Sequence, residues 1–185
     1  PTTQMKAPFP WFGGKSRVAP LVWERFGDVQ NYVEPFFGSG AVLLQRPHPP
    51  RIETVNDKDA YLTNFWRAIQ IAPDEVAHWA DWPVNEIDLA ARRDWIFEPE
   101  RRAAHIARME RDPDYYDVKL GGWWVWGVSS TIGNAWKPKS THLGKGGMGV
   151  QRASTHLGDA GRGVQLAQYF AALAQRLERV RIMCG

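Results

Sequence analysis

The stretch NYVEPFFGSGAVLLQ, Asn31–Gln45, constrains the fold more than any other part of the chain. Asn31–Glu34 reads as a short strand that runs into PFFGSG, and Ala41–Gln45 opens a helix directly after the glycines. Pro47, Pro49 and Pro50 end that helix, because proline lacks the amide and clashes with the preceding turn. Arg51–Val55 (RIETV) reads as a second strand. Asp57–Gln70 is a second helix, with Leu62, Phe65, Trp66 and Ile69 on one face. Strand, glycine turn, helix, strand, acid, helix is the order of a parallel α/β sheet with a nucleotide-like ligand at its strand ends.

The rest of the chain is less regular. Ser16–Phe26 reads as a short amphipathic helix. From Asp74 to Arg111 the composition shifts to charged helical segments, VNEIDLAARRDWI and PERRAAHIARMER. From Asp112 to Gly163 glycine and turn signals dominate. Gln165–Leu177 forms a last helix, and Arg179–Cys184 a third strand. The expected organisation is a sheet part over 1–72, an inserted region over 73–163, and a return to the sheet over 164–185. Ser140–Ala153 and Ser154–Ala167 repeat one another at an offset of 14 residues, too short for a solenoid unit.

The length of 185 residues suits about one domain, and 44% hydrophobic residues suffice for a core. No apolar run reaches the roughly 18–20 residues of a membrane helix. PTTQMKAPFP lacks the apolar core of a secretory signal, so a cytoplasmic location is expected. The lone Cys184 excludes an intrachain disulfide and any multi-cysteine zinc site. His142 and His156, without carboxylate or cysteine partners, are a weak case for a metal. The net charge is +3, but Val118–Gln165 holds six basic residues against one acid, Asp159. Such a local excess fits a polyanion or a solvated basic loop. Four of the ten tryptophans, Trp123, Trp124, Trp126 and Trp136, fall in this span. Tryptophans among cations can stack bases, but most of these four are expected to be buried and structural.

Small residues at Gly38, Ser39 and Gly40 let a ligand approach the backbone. Asp57 follows Gly40 by 17 residues, a spacing suited to an acid that meets ribose hydroxyls. A tight strand–helix turn without ligand would use the same residues. A nicotinamide fingerprint requires a third glycine where Leu43 stands, and a Walker loop requires a glycine where Phe9 stands.

With PFPWFGGKSR (Pro8–Arg17) upstream, VEPFFGSGAV between and VNDKD downstream, the chain resembles the Dam-like (D12 class) DNA adenine-N6 methyltransferases. The likeness is strong over about residues 6–70 and looser at GGWWVWGVSSTIGNAW and RVRIMC. It implies a Rossmann-like methyltransferase sheet of α/β class, with an inserted helical and loop target-recognition domain. It also implies S-adenosylmethionine as cofactor and double-stranded DNA as partner. Trp11 and Lys15 would contact the cofactor, Pro35, Phe36, Phe37, Gly38, Ser39 and Gly40 would form the loop beneath it, and Asp57 would hold the ribose. The recognition region of the family falls on the basic span. There Lys137, Lys139, Lys145, Arg152 and Arg162 are candidates for phosphate, and Ser129, Ser130, Asn134, His142 and His156 for base edges.

The family's catalytic segment is Asp- or Asn-Pro-Pro followed by Tyr or Trp, which accepts hydrogen bonds from the target amine and stacks on the flipped base. The only Pro-Pro here is Pro49-Pro50, followed by Arg51. No catalytic residue is therefore assigned. The sheet is expected to be incomplete in this chain, with a second fragment or chain supplying the rest. The chain alone is expected not to methylate DNA. One rival is a non-catalytic DNA- or protein-binding module derived from such an enzyme, and a second is a methyltransferase acting on a small molecule or RNA.

Overall fold

The computed structural model describes residues 4–131, 136 and 164–185. Three parallel strands form one sheet: β1 (Asn31–Glu34), β2 (Ile52–Asp57) and β3 (Arg181–Cys184), with β2 in the middle. Val33 pairs with Thr54 and Thr54 with Arg181, so the first and last thirds of the chain meet across β2. The eight helices among the described residues are α1 (Ala19–Phe26), α2 (Ala41–Leu44), α3 (Ala60–Ile71), α4 (Pro73–Ala80), α5 (Glu86–Ile96), α6 (Pro99–Arg111), α7 (Val118–Ser130) and α8 (Val164–Leu177). None is long and apolar enough to cross a membrane.

Local chemistry sets the helix starts. Asp59, Asn85, Glu98 and Asp117 cap α3, α5, α6 and α7, their side-chain oxygens accepting first-turn amides. Prolines stand in the first turns of α1, α4 and α6, where no intrahelical amide is lost. The second expected helix starts at Ala60 rather than Asp57, because Asp57 still pairs with Cys184 at the end of β2.

One covered sheet face carries Tyr32, Glu34, Glu53 and Val55. Glu53, central and buried, accepts from Arg46 at 3.1 Å and from Arg176 at 2.7 and 2.8 Å, which joins α8 to the sheet. The other face presents Val33, Ile52 and Met183 to solvent at 58%, 56% and 54% exposure.

The expected glycine-rich turn region after Asp112 is corrected in part: residues 118–130 are the helix α7. Its glycines are packing positions. A Cβ on Gly121 would touch Asn64 and Ala68 of α3, one on Gly122 would strike Trp79 of α4, and one on Gly127 would fall within the ring of Trp136. The bare Gly122 lets α7 lie against α4, and the bare Gly127 makes room for the Trp136 ring, so the gain in packing there outweighs the weak helix propensity of glycine. Leu62, Phe65, Leu89, Ile96, Leu120, Trp124, Leu166 and Phe170 belong to one apolar core, which α4, α5, α7 and α8 share with α3. Trp124, Trp126 and Trp136 are buried in it, as expected.

Candidate functional site

The loop between β1 and α2 is built around two left-handed glycines, Gly38 (φ 55°) and Gly40 (φ 72°). Residues with a Cβ rarely take this conformation. Space excludes a side chain as well: a Cβ on Gly38 would lie 2.8 Å from the Trp11 ring, and one on Gly40 2.9 Å from the Phe37 ring.

Every neighbouring element ties the loop down. The Phe37 amide donates to the Asn56 carbonyl at 2.9 Å, and the Gly40 amide to the Phe37 carbonyl at 3.0 Å. The Gly38 amide donates to Oδ2 of Asp57 at 2.9 Å. Oδ1 of Asp57 accepts the Asp59 amide at 3.1 Å. Trp66 of α3 donates its Nε1–H to the Gly38 carbonyl at 2.9 Å. Asn56 donates from Nδ2 to the Pro35 carbonyl at 3.2 Å.

The structure thus brings Trp11, Lys15, Pro35, Phe36, Phe37, Gly38, Ser39, Gly40 and Asp57 together. Their roles within the cluster differ. Phe37 is buried against Trp66 and forms the floor. Phe36 is 78% exposed beside it. Trp11 packs on Phe9 and Trp124 and closes over Gly38. Lys15 is occupied: its Nζ pairs with Glu34 Oε1 at 2.8 Å and donates to the Phe36 carbonyl. Glu34 is buried and also accepts from the Tyr32 hydroxyl at 2.8 Å. Burial pushes its carboxyl above the ordinary range, and the Lys15 and Tyr32 bonds oppose that rise.

Three braces were not expected from the sequence. Glu34 resembled an ordinary strand acid, Trp66 belonged to the apolar face of its helix, and Asn56 was only half of an Asn-Asp pair. An acid in a strand facing a Lys nineteen residues upstream becomes recognisable only when both sit on the loop's two edges.

Of the DNA candidates, Lys137, Lys139, Lys145, Arg152, Arg162, Asn134, His142 and His156 lie outside the described residues. Ser130 is buried, and its hydroxyl donates to the Trp126 carbonyl at 2.6 Å; Ser129 is buried on the same helix. Lys119 has its ammonium 4.4, 4.6 and 5.1 Å from the ring centroids of Trp123, Trp95 and Trp79. No cluster of metal-ligating side chains occurs among the described residues.

The residues fit a methyl donor that carries a ribose and a cationic sulfonium. Each Asp57 oxygen accepts one backbone amide and has lone-pair capacity for a hydroxyl donor. An exposed aromatic ring such as Phe36 favours a nearby cation.

No curated protein matches the chain. The family model of the D12 class N6 adenine-specific DNA methyltransferases matches residues 11–82, from Trp11 through the glycine loop, β2 and α3 to the end of α4.

Proposed function

We propose, from the match of residues 11–82 to the D12 class N6 adenine-specific DNA methyltransferases, that the chain is the cofactor-binding and target-recognition part of a DNA adenine methyltransferase that uses S-adenosylmethionine. The supporting observation is the Asp57 carboxylate, fixed against the amide of left-handed Gly38. The cofactor supplies an electrophilic methyl group on a sulfonium. Asp57 would hold the ribose hydroxyls, and Gly38–Gly40 would carry the cofactor close to the backbone. Phe36 and Trp11 would flank it, while Lys15, paired with Glu34, keeps the Phe36 carbonyl in place.

Transfer to N6 needs an acceptor for the amine hydrogens and an aromatic platform for the flipped base. No D/N-P-P-Y/W segment supplies them here. A second fragment or chain completing the catalytic domain is therefore part of the proposal, and the exposure of Val33, Ile52 and Met183 on one sheet face supports it. Recognition of double-stranded DNA is assigned to 73–163, with phosphate contacts at Lys137, Lys139, Lys145, Arg152 and Arg162 and a base contact at Asn134; Ser130, buried with its hydroxyl on the Trp126 carbonyl, does not reach a base.

Calorimetric titration of the chain with S-adenosylhomocysteine tests the cofactor reading. Asp57→Ala is expected to weaken binding by about 1–3 kcal/mol through loss of charge-assisted hydrogen bonds. Equal affinity in the variant would remove Asp57 from the site.

A further inference from the structure

Arg92 differs from the other buried arginines in its bonding. Arg46 and Arg176 share the Glu53 carboxylate, and Arg67 donates to the Tyr115 carbonyl at 3.4 Å. Arg92 is 8% exposed, yet among the described residues its guanidinium has no hydrogen-bond acceptor and no ion pair, and its Nη1 is a buried donor without a partner. Aromatic rings hold it instead. Its Cζ lies 4.4 Å from the centroid of the Trp126 ring, 5.0 Å from Trp82 and 5.2 Å from Trp123. Asp88, one turn earlier on α5, is bound to Asn85, which donates to it at 2.6 Å and accepts its amide at 2.9 Å.

The surroundings repeat the pattern. Trp123 Nε1 and Trp136 Nε1 are also buried donors without acceptors, and the Trp136 ring lies 6.1 Å from that of Trp126. Guanidinium and indole N–H groups only donate. Buried donors ordinarily find acceptors, so three unmet ones in one aromatic cluster mark a place suited to an acceptor from outside. Burial also lowers the pKa of Arg92, against a smaller opposing effect of the Asp88 charge. Ring contacts supply no acceptor to the guanidinium N–H groups, the groups that take a phosphate in bidentate fashion.

We propose that Arg92 is a DNA-phosphate-binding residue, held by the rings of Trp82, Trp123 and Trp126 and taking a backbone phosphodiester as the acceptor its N–H groups lack. The inference rests on the DNA-methyltransferase reading and extends the recognition surface from the basic span to α5.

The test is anisotropy of a labelled mixed-sequence duplex bound to the full chain at several salt concentrations, for wild type, Arg92→Met and Arg92→Lys. Arg92→Met should bind about tenfold or more weakly, with the salt slope reduced by about one. Arg92→Lys should regain the slope but not the full affinity, since an ammonium cannot bind bidentately. Without DNA, Arg92→Met should melt no lower than wild type, because an unpaired buried charge has been removed. Affinity for S-adenosylhomocysteine should be unchanged. Wild-type affinity and slope in Arg92→Met would overturn the role of Arg92 and leave the DNA reading standing. A marked drop in melting temperature would make Arg92 a structural cation and overturn the proposal. Failure of the wild type to bind duplex at low salt would overturn both.

Discussion

His105 of α6 is buried beside the rings of Tyr61 and Tyr115, with Nε2 3.3 Å from the Ala60 carbonyl and Nδ1 unpartnered among the described residues. Burial pushes its pKa below the ordinary 6.5, against smaller opposing effects of the Ala60 bond, Asp117 and Asp59. The fold therefore favours the neutral ring. The resulting stability is complete above the unfolded value and is lost as pH falls through the lowered folded value. Melting curves between about pH 7.5 and 5 should show a steeper acid decline for wild type than for His105→Phe, which keeps the ring and removes the titration. Parallel declines would show that His105 does not report on folding in this range. The same contrast between type and environment explains what the sequence disclosed at this scale. Asp57 and the loop glycines were legible, because a left-handed turn and a ribose acid each demand one residue type at one spacing. The Lys15–Glu34 pair was not, since a salt bridge across two elements leaves no local pattern. Nor was Arg92, whose unmet donor exists only once three tryptophans from two segments converge.

The elements of the sheet were legible for a related reason: strands bounded by glycine and proline, and helices opened by caps, are specified within a few residues. α7 was hidden because its evidence is non-local. Its glycines read as turns until Trp79, Ala68 and Trp136 are seen lying on them. A pair of adjacent substitutions tests this. In an open helix, Gly→Ala stabilises by about 1 kcal/mol through backbone entropy. On Gly121 the new Cβ would make ordinary contacts at 3.4 Å with Asn64 and 3.5 Å with Ala68, so the gain should survive. On Gly122 it would meet the Trp79 Cβ and lie 2.8 Å from the Val76 carbonyl oxygen, and overpacking should dominate. Gly122→Ala is expected to lose about 1–2 kcal/mol and melt about 2–8 °C lower. Stabilisation by both substitutions would contradict the close packing of α4 on α7.

At the scale of the molecule, helices among the described residues cover one side of the sheet. Parallel sheets are normally covered on both faces, and here one face carries Tyr32, Glu53 and Val55 under helices while the other leaves Val33, Ile52 and Met183 bare. A partner segment that covers this face and brings the amine acceptor and base platform would make one enzyme from two parts. Lys15, Asn56, Asp57 and Trp66, all described residues, brace the glycine loop. Cofactor binding is thus the activity expected of this chain by itself. Amide hydrogen exchange on the intact chain, with and without S-adenosylhomocysteine, tests that claim most directly, because it locates the ligand without altering a residue. Slowed exchange should be confined to peptides covering Trp11–Lys15, Glu34–Gly40 and Asn56–Asp59. Unchanged exchange in those peptides at saturating ligand, or protection found only elsewhere, would contradict it.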